Sequence, residues 1–439
     1  MSAPGRESEN SRDTRGGDSS GVNSTAWDRR SVLRAAGGLA ALGALSACGS
    51  NTGRPVGGSS GKGLTQYFHA YGEAGTEQAI RRYAKDFGKA EVTTQWITGT
   101  NFESKLFSAL LSSDAPDVFE FHPQIHMVKA RQIVPLDDII APVKDDFHAA
   151  DIASHTMDGK IWGIRMIDDP KFLYYRKSLL EKAGLEPPTT LDALIEAAAK
   201  LTTDKVKGLY LGNNLSDIAR PMVWSSGAEL LTPTNEIAYH TDELVTGLRT
   251  LRTLFTSGSL LLDAPADYWD PSAFNQGLTA MQWCGMWAMP AIQKAHGDDV
   301  GIIPFPKVTD TGRPSLINGG WSMFVSSKAK DVDLAKEYVK WLWLDRTDYQ
   351  QDWCLGYGFH IPPRKSLAAK ADQLKQGLAA EGVALSERYG HYDNPAFTQA
   401  MLNALEGVIA DSVRDDKDPE AALDTCDKKV RRELTTLFG

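Results

Sequence analysis

The residues of this chain that could do chemistry are aromatic rings and carboxylates, and no motif typical of an enzyme accompanies them. The sequence lacks a GxSxG elbow, a GxxxxGK[ST] loop, a GxGxxG fingerprint and an HExxH motif. Asp168 and Asp169 could in principle serve a glycosidase, which places two carboxylates around one bond. Adjacent residues of an extended chain point in opposite directions. We therefore interpret the pair as one ligand contact and one solvated or capping carboxylate.

The chain contains 11 tryptophans, several of them at strand ends or in Gly-rich turns rather than inside helices. Sugar rings present flat C–H faces that pack on aromatic rings, and their hydroxyls need carboxylates, amides and imidazoles around them. This combination favours a carbohydrate-binding cleft that works without a cofactor.

Two groups of candidate ligand-binding residues follow strand-like runs. Glu120, Phe121 and His122 end the third run, and His69 and Tyr71 follow the first. In parallel α/β sheets, ligands bind beyond the carboxyl ends of the strands. Strand alternation predicts that only some of the first group face a cleft. His69 has no second His or Cys at metal-ligand spacing, so we predict no metal site.

Strand-like runs alternate with helical segments, which predicts an α/β fold with a largely parallel sheet. The first five are LTQYFHAY, TEQAIRRYAKDFGKA, EVTTQWI, NFESKLFSALLSS and DVFEFH. Thr189, with Asp192 at capping-box spacing, and Asp331 predict two later helix starts. A length of 439 residues predicts two or three lobes.

The N-terminal region has the three parts of an export signal: paired arginines, a short apolar stretch and a cysteine. They occupy residues 28–48, DRRSVLRAAGGLAALGALSAC. Arg29 and Arg30 resemble a twin-arginine signal, and LSAC resembles a lipobox in which Cys48 would carry lipid. The Gly/Ser-rich residues 49–63 predict a flexible tether. We therefore expect a protein anchored by lipid outside the cytoplasmic membrane of a bacterium.

Charge and cysteine content exclude some classes. The net charge is −9 and no long Lys/Arg run is present, which disfavours nucleic acid as a partner. Besides Cys48, the chain has Cys284, Cys354 and Cys426 without CxxC spacing. An odd number cannot all pair, so we predict buried thiols, with one disulfide as the alternative.

Four ordered blocks carry a resemblance to family 1 extracellular solute-binding proteins, the group that includes the maltose-binding proteins. The blocks are DGKIWGIRMIDDPKFLYYRKSLLEKAGLEPPTTLDAL, FNQGLTAMQWCGMW, VGIIPFPK with INGGWSMFVSSKAKDVDLAKEYVKWLW, and GYGFHIPPRKS. Each block alone is weakly specific. The four blocks together, in this order and at this spacing, are specific.

The resemblance implies a two-lobed, type II periplasmic-binding-protein fold whose α/β lobes close on a ligand by hinge motion. The implied crossings between lobes lie near residues 167–169, 317–321 and 360–364. The implied lobes are residues 64–167 plus 318–360, and residues 168–317 plus 361–439.

The resemblance also implies individual ligand contacts. Asp169 matches a sugar-binding carboxylate just after the first crossing, and Trp287 matches a stacking indole. Trp321 follows two glycines at the second crossing. Trp224 and Trp269 are further candidates, for which packing in the core is the alternative.

The function implied is capture of a sugar or oligosaccharide by a monomeric binding protein, without catalysis, and its delivery to the membrane permease of an ABC importer. A rival within the same fold binds a peptide, polyamine, osmolyte or glycerol phosphate. A rival from another class is a secreted glycosidase or lyase, which would consume its substrate.

Overall fold

The computed structural model describes residues 63–439, so the predicted export signal, Cys48 and nearly all of the tether lie outside the described residues. Within this range 13 strands and 17 α-helices alternate. The strands are β1 (Gly63–His69), β2 (Glu91–Ile97), β3 (Val118–Phe121), β4 (Thr156–Met157), β5 (Lys160–Ile161), β6 (Ile164–Arg165), β7 (Asp169–Arg176), β8 (Lys207–Tyr210), β9 (Thr279–Gly285), β10 (Val300–Ile303), β11 (Leu316–Gly319), β12 (Ser322–Val325) and β13 (Gly390–His391).

The helices are α1 (Thr76–Asp86), α2 (Gly99–Leu111), α3 (Ile125–Lys129), α4 (Asp137–Ile140), α5 (Ala149–His155), α6 (Lys177–Lys182), α7 (Leu191–Leu201), α8 (Ala219–Ser225), α9 (Asp242–Thr256), α10 (Ser272–Asn275), α11 (Met289–His296), α12 (Val332–Lys340), α13 (Thr347–Leu355), α14 (Lys365–Ala368), α15 (Gly377–Tyr389), α16 (Gln399–Ile409) and α17 (Pro419–Phe438). Short π-helical turns extend α12 and α16. Among residues 63–439, no helix combines the length and apolar character that a membrane span requires.

Lobe 1 is built on a five-stranded sheet in the order β2-β1-β3-β12-β6. β1 pairs in parallel with β2 and β3, whereas β12 runs antiparallel to β3 and β6. The predicted strand–helix–strand–helix–strand order of the first segment is confirmed. The prediction of a largely parallel sheet is wrong beyond β1, β2 and β3, because β12 enters this sheet from much later in the chain and runs antiparallel.

Lobe 2 is built on a second sheet in the order β13-β11-β7-β9-β8, with β10 also paired to β7. β7 runs antiparallel to β9, β10 and β11. Phe172, Leu173 and Tyr174 of β7 are buried on both faces of the sheet, which explains a continuous apolar run rather than an alternating one.

Each sheet is covered by apolar side chains on both faces. In lobe 1, Leu64 and Phe68 of β1 pack into one core cluster and Tyr67 into another, as the two-residue period of a strand requires. Phe172 and Trp283 belong to the single large core of lobe 2. The three cysteines are buried free thiols, which confirms the favoured interpretation of these residues.

The helix starts agree with the sequence in one case and differ by one residue in the other. Asp331 caps α12 by accepting from the Leu334 amide at 3.0 Å, as predicted. The prediction of Thr189 as the cap of α7 is wrong. Thr190 is the cap, because its extended backbone lets its hydroxyl accept from the Ala193 amide at 3.1 Å.

Three segments connect the two sheets side by side. The chain leaves β6 and enters β7 through residues 166–168, and it returns from β11 to β12 through residues 320–321. The third segment contains Ile361. It pairs with the first segment, since Asp168 and Ile361 exchange two backbone hydrogen bonds of 2.9 Å. Gly320 has a φ of +127°, and a Cβ there would lie 2.0 Å from the carbonyl oxygen of Ile167, so only glycine fits.

Candidate functional site

Polar and aromatic side chains collect where β1 and β3 end and where β12 begins. The carboxylate of Glu120 is fully buried and accepts three hydrogen bonds. Its Oε1 accepts from the backbone amide and the Nδ1 of His69, both at 2.6 Å, and its Oε2 accepts from the Tyr71 hydroxyl at 2.7 Å. Because parallel strands end at the same sheet edge, residues from β1 and β3 meet as expected.

Four rings at this edge stack on one another, and we call them the ring wall: His69, Tyr71, His122 and Trp321. The His69 ring centroid lies 3.9 Å from that of Tyr71 and 4.0 Å from that of Trp321. The Trp321 ring lies 4.5 Å from His122 and also meets the edge of Phe102 at 5.9 Å. The faces of these rings are therefore largely used within the protein.

A second group joins the crossing segments, and we call it the crossing cluster: Glu73, Asp169 and His360. His360 is buried; its Nδ1 bonds the Oδ1 of Asp169 and its Nε2 lies 3.3 Å from the Oε1 of Glu73. Burial alone would lower the pKa of His360, but the two carboxylates raise it to about 10. His360 is thus a cation held between two acids at physiological pH.

Arg165 and Asp168 lie beside the first crossing. The guanidinium of Arg165 is wholly buried and donates from Nε to Asp151 at 3.0 Å. Asp168 lies 3.6 Å from the same Nε, and burial raises its pKa to about 8 despite this cation.

Trp287 follows β9 and faces the same end of lobe 2 as Asp169. Lys171 of β7 pairs with Gly285 of β9, so Asp169 and Trp287 each occur two residues beyond that pair. The indole lies over Gly285, where a Cβ would fall 1.8 Å from its Cζ3 atom. Its Nε1 donates to the backbone oxygen of Trp269 at 3.0 Å, and the Trp269 side chain is 50% exposed.

Charged residues of lobe 2 form two buried or half-buried pairs, and we call them the ion-pair wall: Lys171 with Asp217, and Arg220 with Asp393. Lys171 Nζ donates to Asp217 Oδ1 at 2.6 Å. Burial opposes both charges, but their attraction raises the pKa of Lys171 and lowers that of Asp217. Arg220 donates to Asp393 Oδ1, so both cations of this wall have a carboxylate partner.

Neutral groups complete the ion-pair wall. The hydroxyl of Tyr268 lies 3.1 Å from Lys171 Nζ, and Trp283 Nε1 donates to the second oxygen of Asp217 at 2.7 Å.

The ring wall approaches the ion-pair wall at one place, and the crossing cluster approaches Trp287 at another. His122 Nδ1 of the ring wall lies 3.8 Å from Asp393 of the ion-pair wall. A Cβ on Gly358 would lie 3.1 Å from the backbone oxygen of Trp287 and 3.2 Å from Glu73. Residues from both lobes and from the crossing segments therefore share one region.

Most of the sequence-predicted residues lie in this region, but two pack elsewhere. His69, Tyr71, Glu120, His122 and Trp321 are together in lobe 1, and Asp169, Trp269 and Trp287 are together at the end of β7 and β9. The ring of Phe121 is buried against Phe107 at 5.1 Å. Trp224 is buried in the lobe 2 core and stacks on His391 at 4.4 Å.

The charged partners are the residues that sequence reasoning missed. Glu73, Lys171, Asp217, Arg220 and Asp393 carry no local motif that separates them from surface charges. His360 was placed near the third crossing by the family-like block GYGFHIPP, without a role for its side chain.

The arrangement is suited to binding rather than to acid–base chemistry. Glu120, Asp169 and Glu73 each contact an imidazole or hydroxyl of the protein. Within residues 63–439, no group of three or more His, Cys, Asp or Glu side chains is arranged so that it could hold a metal ion.

A model of the family described as "Bacterial extracellular solute-binding protein" matches residues 63–345. The diacetylchitobiose binding protein DasA of Streptomyces coelicolor is 26% identical over 380 residues, which cover 81% of this chain and 86% of that protein. The "Probable amino-acid ABC transporter periplasmic-binding protein y4oP" of Sinorhizobium fredii is 27% identical over 202 residues, 42% of this chain and 44% of that protein. The chain thus spans about half the length of some curated relatives.

Among solved structures, the GacH receptor of Streptomyces glaucescens matches with a TM-score of 0.74 and 22% identity. The match covers 85% of this chain and 98% of the receptor, whose structures include an unliganded form and a complex with acarbose. At this identity the likeness establishes the fold, which is the two-lobed α/β architecture predicted from the sequence.

Proposed function

We infer that this chain, which belongs to the bacterial extracellular solute-binding protein family, captures a carbohydrate between its lobes and delivers it to an ABC importer. The observation that carries the substrate class is the pairing of charges. Arg165, Lys171, Arg220 and His360 each have a carboxylate partner. What remains for a ligand is aromatic surface and neutral polar groups, which suit a polyhydroxylated molecule.

The lobes that close on this ligand are residues 64–167 plus 318–360, and residues 168–317 plus 361–439, except that residues 318 and 319 pair with β7 and so belong to lobe 2. A ligand that contacts both walls stabilises the closed conformer, because only that conformer offers both sets of contacts. In this proposal Trp287 stacks on the sugar, and the other ligand contacts come from the ring wall, Trp269 and Asp169. The names of the chitobiose-binding relative and of the acarbose-bound receptor agree with such a ligand.

A thermal-shift screen of the purified protein tests the substrate class. The panel contains maltose, mannotriose, arabinotriose and N,N′-diacetylchitobiose, with putrescine, glycerol 3-phosphate, glycine betaine and single amino acids as the competing class. A sugar at 100 times its Kd should add about 2.7 kcal/mol to the free energy of unfolding. If only the non-sugar compounds raise the Tm, the carbohydrate proposal is wrong.

Glu406 is the observation that favours a cationic solute as the second candidate. No hydrogen bond or ion pair engages its side chain within the described part of the chain, and burial with the nearby charge of Asp217 raises its pKa to about 7. An amine ligand would place its ammonium group there, and the name of the amino-acid relative agrees with a solute that carries an amine. Replacement of Glu406 by Gln should abolish binding of such an amine but only modestly change binding of a neutral sugar.

The absence of catalysis is tested with the same sugars. A binding protein returns each sugar unchanged after long incubation, whereas a glycosidase or lyase yields shorter products that chromatography detects.

Membership of an extracellular family places the protein outside the cytoplasm, and we propose that a lipid on Cys48 anchors a monomer there after twin-arginine export. The signal-like residues 28–48 support this anchor. Cys48→Ala should release the protein from the membrane fraction, while wild type stays there; equal membrane retention of both would contradict the anchor.

A further inference from the structure

The rings of the ring wall are oriented so that their faces contact each other. His69 lies between Tyr71 and Trp321, whose centroids are 6.5 Å apart and therefore on different sides of the imidazole. Trp321 in turn contacts His69, His122 and Phe102. A sugar that approaches this wall meets ring edges, in contrast to the usual face-on stacking on aromatic side chains.

One nitrogen of each imidazole is engaged inside the protein. His122 Nδ1 lies 3.1 Å from the backbone oxygen of Gly320, and His69 Nδ1 lies 2.6 Å from the Glu120 carboxylate. A carbonyl oxygen and a carboxylate only accept hydrogen bonds, so both Nδ1 atoms carry the proton. In the neutral imidazole the Nε2 atom is then a hydrogen-bond acceptor.

The remaining ring nitrogens face solvent. No protein group bonds His69 Nε2, His122 Nε2 or Trp321 Nε1, and the buried unpaired polar atoms found in residues 63–439 belong to other side chains. The side chains of His69 and His122 are 14% and 32% exposed. Burial lowers the pKa of His122 to about 4, which keeps this ring neutral at physiological pH.

We propose that the ring wall recognises neighbouring sugar hydroxyls edge-on, through a row of ring nitrogens in which Trp321 Nε1–H donates and His122 Nε2 accepts, with His69 Nε2 beside them. This inference rests on the proposed carbohydrate function and specifies how lobe 1 takes part in it. A hydroxyl both donates and accepts, so one hydroxyl can donate to an imidazole while it accepts from the indole.

The same row discriminates against charged groups. A carboxylate or phosphate could accept from Trp321 but would meet the lone pair of His122 Nε2. An ammonium could donate to that imidazole but has no acceptor for the indole N–H. The row therefore selects neutral hydroxyls, because a charged group would leave one of the ring nitrogens without a hydrogen-bond partner.

The ring nitrogens of His122 test the proposal in the wild-type protein. The ¹⁵N spectrum should show the Nδ1–H tautomer, and the Nε2 resonance should shift on saturation with the tightest-binding sugar of the thermal-shift panel. An Nε2–H tautomer, or an Nε2 resonance that sugar leaves unchanged, would overturn the proposal.

Two substitutions at His122 separate the two nitrogens. His122→Asn keeps a donor near Nδ1 but removes the acceptor at Nε2, whereas His122→Gln can place an amide oxygen near Nε2. We expect calorimetric titration with the same sugar to give about a tenfold higher Kd for the Asn variant and a smaller change for the Gln variant.

A third substitution removes the donor of the row. Trp321→Phe keeps a ring between the imidazoles without an N–H, and we expect a loss of binding of about tenfold or more, because the smaller ring also holds His69 and His122 less closely. The thermal stability of each unliganded variant identifies any general damage to the fold.

The outcomes separate this inference from the function on which it rests. Sugar binding by wild type with an unchanged Kd in His122→Asn would overturn the edge-on row alone. Failure of every sugar to bind wild type would overturn the carbohydrate function, and the row with it.

Discussion

The ring wall of lobe 1 and the ion-pair wall of lobe 2 differ in what holds their side chains in place. In the ring wall, faces are packed and edge nitrogens are left for a ligand. In the ion-pair wall, charges are used internally, as in the Lys171–Asp217 pair. Elsewhere in lobe 2 the Trp287 N–H is also bonded within the protein, and part of the Trp287 ring is left exposed. Lobe 1 therefore offers hydrogen bonds and lobe 2 offers a stacking surface.

The difference teaches that a residue type does not fix its role in a binding site. Trp321 and Trp287 are both half-buried indoles near a crossing or a strand end, yet one is available through its edge and the other through its ring face. The partners of each ring decide which part of it remains available.

The largest expected effect is on stability, from breaking the ion-pair wall. Lys171→Met leaves Asp217 buried without its cation and should lower the free energy of unfolding by about 3–5 kcal/mol. The double variant Lys171→Met with Asp217→Leu should recover much of this loss, since no unpaired charge remains. Denaturant unfolding measures both, and simple additivity of the two single losses would contradict the argument.

Removal of the stacking surface should have the next largest effect. Trp287→Ala should weaken sugar binding by roughly 2–3 kcal/mol, or about 30- to 150-fold, because the apolar area of the indole is lost. Trp269→Ala removes a second proposed contact but keeps the backbone oxygen that holds Trp287, so its effect should be smaller. An equal effect of both in calorimetric titration would contradict the distinct role of Trp287.

The crossing cluster between the walls should give a pH-dependent stability. The pKa of His360 is about 10 in the folded protein and about 6.5 when unfolded, so the folded state binds more protons between these values. Its contribution is complete below pH 6.5 and is lost as the pH rises to 10, by about 1.4 kcal/mol per pH unit at most.

His360→Gln isolates that contribution. The difference in unfolding free energy between wild type and variant should shrink from pH 6.5 to 10. The contributions of titratable groups that both proteins share cancel in this difference. A difference that is constant over this window would show that His360 is not charged in the folded protein.

The smallest expected effect is from a hydroxyl of the ring wall. Tyr71→Phe removes one of three hydrogen bonds to Glu120 and keeps the stack, so the loss of stability should be about 1 kcal/mol. Sugar affinity should change less than in His122→Asn. A loss as large as that of Lys171→Met would mean that the two walls do not differ as described.

The sequence predicted site residues that lie at strand ends. It missed site residues that are held by ion pairs with distant parts of the chain. Strand ends placed His69, Tyr71 and Glu120 at one edge, because the carboxyl ends of parallel strands coincide. Asp217 and Lys171 are 46 positions apart and meet only through the packing of lobe 2. Such pairs leave no local pattern for a single sequence to display.

Alternation along β3 also limited the prediction. Glu120 and Phe121 point to opposite faces, and which of the two faces is buried under helices depends on the rest of the lobe. Phe121 packs against α2 through Phe107, whereas Glu120 binds the residues that follow β1.

The paired crossing segments restrict how the two lobes can move. Asp168 and Ile361 are joined by backbone bonds in both directions, and Gly320 is pressed against Ile167, so neither neighbour can slide past the first segment without breaking that contact. Bending remains available, because it changes torsion angles and leaves the bonds intact. We expect relative motion of the lobes to be close to a single angle, so that one pair of fluorescent labels, one on each lobe, should record closure on a ligand as one distance.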